Sequence, residues 1–161
     1  MLAIDTNVVV RYLTGDHPRQ AARAEALVER QDVFVATTVL LETEWVLRSA
    51  YGIEPRQVAD VLERFVGLPT VRLENAKAVS KALGWARDGL DFADALHLAA
   101  AEGCGAFVSF DEPFVRRAHA LGAAVRQAWA GQPNGAPARS HVLKVPQRLA
   151  RKRRPCAPRG K

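Results

Sequence analysis

Short apolar runs alternate along this chain with longer stretches in which apolar residues recur at helical spacing. Leu2-Ala3-Ile4, Val33-Phe34-Val35-Ala36, Val71-Arg72-Leu73 and Ala106-Phe107-Val108-Ser109-Phe110 have the length and composition of strands, with Ala123-Ala124-Val125 as an edge candidate. Between them the pattern predicts helices over 7–13, 18–30, 37–51, 55–65, 75–87, 91–102 and 112–121. Pro18, Pro55 and Pro113 suit first turns. Thr6-Asn7 and Thr37-Thr38 are good cap types, and Gly15, Gly52, Gly67 and Gly103 stop what precedes them. Strands alternating with helices in this way build a parallel sheet, so an α/β fold is expected.

The charge is divided unevenly. Residues 1–130 carry 14 lysines and arginines against all 17 acids, a balance of −3, whereas residues 131–161 carry nine bases and no acid. The body is thus mildly acidic, and the formal +6 belongs to a tail rich in Pro, Gly and Arg. That tail has too few large apolar residues to offset its chain entropy, so a mostly disordered extension is expected there. Its basic run Arg151-Lys152-Arg153-Arg154 suits either a phosphate-backbone tether or a solvated extension. No apolar run is long enough to span a membrane, and Met1–Asp5 has no basic, signal-like start. Cys104 and Cys156 have no metal-type spacing, which fits free thiols in a reducing cytoplasm.

Candidate chemistry lies in the acids. Asp5 and Asp111 each close an apolar strand, the placement at which α/β folds gather functional groups. Glu42 and Asp94 lie in stretches that read as apolar helix faces, where a carboxylate must pair, neutralise or bind a cation. Each has a plainer reading. Asp5 and Asp111 suit helix caps, and Asp91, three residues before Asp94, suits an N-cap. Glu44 has Arg48 four residues on, so a surface ion pair explains it. His97 reads more simply as a packing histidine than as a ligand, and Trp45, Trp85 and Trp129 as core or interface aromatics. Four oxygen donors without a Cys or His set suit Mg²⁺ or Mn²⁺ rather than zinc.

Ala3-Ile4-Asp5-Thr6-Asn7, Leu40-Leu41-Glu42-Thr43-Glu44-Trp45, Asp91-Phe92-Ala93-Asp94-Ala95-Leu96-His97-Leu98-Ala99 and Val108-Ser109-Phe110-Asp111, in this order, resemble the PIN-domain family, in particular its VapC-type toxins. The resemblance covers about residues 1–127. It implies a three-layer α/β/α fold around a central parallel sheet, with a nuclease domain over 1–130; the basic tail over 131–161, read from its composition, lies outside the resemblance. It also implies a Mg²⁺-dependent endoribonuclease, with Mn²⁺ as substitute, whose acidic site matches Asp5, Glu42, Asp94 and Asp111. Asp5, Asp94 and Asp111 would be the metal ligands. Asp91 would be an accessory acid, and Thr6 and Ser109 would hydrogen-bond the site carboxylates. The implied partners are an RNA substrate, a cognate antitoxin protein and a second copy in a homodimer, all in the cytoplasm. Arg11, Arg48, Arg116 and Arg117 are candidates for contacting RNA phosphates, and each reads equally well as a solvated surface charge.

Two other classes compete. A haloacid-dehalogenase-like phosphatase would want an aspartate two residues after Asp5, where this chain has Asn7. A non-catalytic PIN-like interaction module would use the acids only to bind a metal or a partner.

Overall fold

A computed structural model of the chain describes residues 1–128; the basic tail, Trp129 and Cys156 lie outside the described residues. The elements in chain order are β1 (Leu2–Ala3), α1 (Thr6–Thr14), α2 (Pro18–Arg30), β2 (Val33–Val35), α3 (Thr37–Ser49), α4 (Pro55–Val66), β3 (Val71–Leu73), α5 (Ala76–Arg87), α6 (Phe92–Ala100), β4 (Phe107–Ser109), α7 (Glu112–Ala120) and β5 (Val125–Gln127). This is a helix-rich α/β architecture with parallel strands, as the hydrophobic pattern predicts.

Helix boundaries follow local chemistry. Pro18, Pro55 and Pro113 each occupy a first turn, where the missing N–H costs no helical hydrogen bond. Asp5, not Thr6 or Asn7, caps α1. At its other end Gly15 takes φ +65° and donates its N–H to the Arg11 carbonyl, closing the helix in a left-handed conformation that glycine adopts without strain. The expected cap of α3 by its threonines is absent. Ala36 holds that position without a side-chain bond, and the Glu74 carboxylate beyond β3 accepts from the Thr37 N–H at 2.9 Å instead. The last strand begins at Val125, two residues later than its apolar start suggests.

The hydrogen bonds form two parallel ladders among the described residues. One is β1-β2-β3, with Leu2 opposite Val33 and Val33 opposite Val71; the other is β4-β5, with Phe107 opposite Val125. Strands of two or three residues give each ladder few rungs. Val33 and Val35 of the middle strand are fully buried. Around them pack Leu40 and Leu47 of α3, Leu62 and Phe65 of α4, and Val79 and Leu83 of α5 in one apolar core. Each such side chain contributes about 1.5–3 kcal/mol by leaving water. The core fixes the strands, whose ends lead into Asp5 and Asp111, while α3 and α6 carry Glu42 and Asp94.

Candidate active site

Three of the acids are helix caps. Asp5 Oδ1 accepts from the Val8 N–H at 2.9 Å, and Asp111 Oδ1 from the Phe114 N–H at 3.0 Å. Asp91 Oδ1 accepts from Ala93 at 2.9 Å and Asp94 at 3.4 Å. Capping does not exclude ligation. A cap engages one carboxylate oxygen and fixes the group's direction, which leaves the other oxygen for a second partner. Asp91 shows this directly, since its Oδ2 lies 3.3 Å from Arg48 Nη2.

Asp94 follows in the first turn of α6 and is half-buried. Burial pushes its carboxyl above the usual carboxylate range. The charges of Asp91 and Asp111 push the same way, and His97 opposes them. His97 itself is exposed and acts on Asp94 through charge. Asp91, Asp94 and Asp111 line one cleft of about 650 Å³ together with Arg116 and Arg117.

Asp5 and Glu42 line a second cleft of about 460 Å³ with Thr6, Asn7, Arg11 and Tyr51. Glu42 is exposed rather than set in an apolar face, and its partner from elsewhere in the fold is Thr6. The buried Thr6 hydroxyl donates to Glu42 Oε2 at 2.5 Å. Ser109, the other hydroxyl expected beside an acid, braces backbone instead: its Oγ accepts from the Asp111 N–H at 3.0 Å.

Glu44 is not a surface residue. It is 3% exposed, on the stripe Leu40, Thr43, Glu44 and Leu47 that α3 turns inward. At about 100° per residue, Glu42 lies some 200° around the helix from it. Arg48 Nε sits 2.5 Å from Glu44 Oε1, an ion pair without the alignment of a hydrogen bond. Trp45 is 60% exposed and so not a core residue, while Trp85 is half-buried with Lys81 Nζ 4.9 Å from its ring centroid.

The four arginines weighed as phosphate contacts or solvated charges have partners within the fold. Arg11 pairs with Asp16 at 2.5 Å and donates to Gln20 at 2.9 Å. Arg48 lies between Glu44 and Asp91, and Arg116 is 3.6 Å from Glu112. Arg117 Nη1 donates to the Gly89 carbonyl. Asp16 and Tyr51 escaped the sequence reading. The Tyr51 hydroxyl donates to Asp16 Oδ2 at 2.6 Å, and with help from Arg11 and Thr14 it holds the Asp16 carboxyl down to about 2.

A family model described as PIN domain matches residues 2–120 of the chain. The chain belongs to the PIN-domain family. PIN domains are generally nucleases and usually use divalent metal ions. No curated protein matches this PIN domain. Among the described residues no helix is long and apolar enough to cross a membrane.

The residues fit a hard divalent cation in one respect and limit it in another. Asp94 and Asp111 offer oxygen donors only, and their mutual repulsion is what a cation relieves. Among the described residues, however, no three His, Cys, Asp or Glu side chains are gathered to hold an ion between them. Magnesium is commonly bound by one or two carboxylates and completes its shell with water and substrate phosphate, which suits a pair.

Proposed function

We propose that this PIN domain is a divalent-metal-dependent endoribonuclease, acting as the toxin of a VapC-type toxin–antitoxin pair. The observation that carries the reading is the grouping of Asp91, Asp94 and Asp111 in one cleft, where burial and two like charges act on Asp94. Asp94 and Asp111 would hold Mg²⁺, or Mn²⁺ in its place. Once bound, the ion neutralises charge on phosphate oxygens and lowers the pKa of a water.

The chain's own residues supply positioning. The capping bonds of Asp5 and Asp111 aim both carboxylates before any ligand arrives. Asp5, a metal ligand by the family resemblance, lines the cleft it shares with Glu42 rather than that of Asp94 and Asp111, and would reach an ion only through water or substrate phosphate. Glu42, held by the Thr6 hydroxyl, accepts a hydrogen bond from the attacking water and directs its lone pair at phosphorus. A cognate antitoxin would cover these acids with a basic segment, and the chain would act in the cytoplasm as a homodimer.

Purified protein incubated with structured RNA and Mg²⁺ tests the reading. Wild type should cut, chelation should stop it, and Asp5→Ala and Asp94→Asn should both be at least about a hundredfold slower. If all three proteins leave RNA intact, or all cut equally, the assignment fails. Induced expression should also arrest bacterial growth for wild type and not for Asp94→Asn. The interaction-module reading draws on one observation, the absence of a three-ligand cluster among the described residues. Metal-independent RNA binding without cleavage would favour it.

A further inference from the structure

We propose that Arg48 is a positioning residue that sets the N-terminus of α6, and with it Asp94, against Asp111. The proposal rests on the nuclease reading only in giving Asp94 its purpose. Arg48 spans two elements far apart in sequence. Its Nε lies 2.5 Å from Glu44 on its own helix, and its Nη2 lies 3.3 Å from Asp91 Oδ2, 43 residues away. Asp91 in turn caps α6 through the N–H groups of Ala93 and Asp94. The chain of contacts therefore runs from the interior of α3 to the backbone of the residue that carries the cleft's half-buried acid.

Two features make this a device rather than an incidental surface pair. Glu44 is 3% exposed, so it cannot leave for solvent and anchors the guanidinium. Without Arg48 the buried Glu44 carboxylate would be left uncompensated, which keeps the anchor closed. Secondly, a cation beside a helix N-terminus has the wrong sign for the helix dipole. Arg48 is held there by two carboxylates, and its planar fork can meet both, as a lysine ammonium on one flexible stem cannot. Just before this turn, Arg117 donates to the Gly89 carbonyl. Gly89 has φ +93°, and a Cβ there would sit 3.2 Å from Arg117 Nη1. Two arginines, Arg48 and Arg117, thus brace the helix start on which Asp94 is mounted.

Amide hydrogen exchange of the metal-free full chain, read residue by residue by NMR, tests this. Arg48→Lys should speed exchange at Ala93 and Asp94 by about fivefold to tenfold, the size of a lost cap, while Val8 and Phe114, capped by Asp5 and Asp111, stay as in wild type. Asp91→Asn retains a capping oxygen and the Glu44–Arg48 pair, so it tests the same link should the lysine variant not fold. It should shift the same two amides in the same direction. Unchanged exchange at Ala93 and Asp94, even with a lowered melting temperature, overturns the proposal. Parallel Mn²⁺ titrations separate the two readings. A wild-type chain that binds no Mn²⁺ removes the metal reading alone, and faster exchange at those amides supports positioning in either case.

Discussion

Thr6 and Glu42 meet through a 2.5 Å hydrogen bond that ties the first turn of α1 to the exposed side of α3. The donor is buried and the acceptor is not, so the bond fixes Glu42's direction more than it stabilises the fold. Thr6→Val keeps the shape and removes the hydroxyl. It should lower RNA cleavage about tenfold and cost about 1 kcal/mol of stability, with Thr6→Ser restoring most of the rate. Cleavage rates and urea unfolding of the two variants check this.

Glu42 and Glu44, two residues apart, should behave oppositely. Glu44→Ala empties a buried position on the inward stripe of α3 and leaves the part-exposed Arg48 with Asp91 alone, and should cost about 2–3 kcal/mol of stability. Glu42→Ala, from an exposed site, should cost only about 1 kcal/mol, for the Thr6 hydroxyl it leaves without its acceptor, yet abolish cleavage. Equal stability losses in the two variants would contradict the burial described for α3.

Asp94's pH dependence has a definite sign. Its carboxyl in the folded chain is raised by burial and by Asp91 and Asp111, so its contribution to stability is complete below the ordinary carboxylate range. That contribution is lost as pH rises through the raised value. At neutral pH the group is therefore a liability. Asp94→Asn should raise the melting temperature by about 1–2 °C there, and the gain should vanish near pH 3. Added Mg²⁺ should stabilise wild type and not this variant, as thermal melts with and without the ion would record.

Asp16 has the reverse sign. The Tyr51 hydroxyl and Arg11 hold it to about 2, so its contribution is present above the ordinary carboxylate pKa and lost as pH falls from about 4 towards 2. Tyr51→Phe should move the Asp16 titration upwards, as followed by its side-chain carboxyl carbon signal in NMR.

Much of this fold was legible from spacing. Pro18 at a first turn and the apolar repeat after it mark α2 from start to finish, and Asn75 at the cap position opens α5. The four acids could be picked out because they interrupt apolar runs. What local pattern could not give was non-local. Nothing in Thr37-Thr38 says that Glu74 supplies the cap of α3. No residue spacing says that the strands form two hydrogen-bonded ladders. Glu44 was legible and misread. It falls on the stripe of Leu40, Thr43 and Leu47, but Arg48 one turn on offered a surface explanation, and the stripe proved stronger. Spacing could not give the partners of Arg48 and Arg117 either, since Asp91 and the Gly89 carbonyl come from elements distant in sequence.

Manganese binding followed by electron paramagnetic resonance tests the account most directly, with wild type compared against Asp94→Asn and Asp111→Asn at neutral pH. The account predicts saturable binding by wild type, weakened at least about tenfold in both variants, with cleavage falling in step. Equal Mn²⁺ affinity in all three proteins, or none in any, would contradict it.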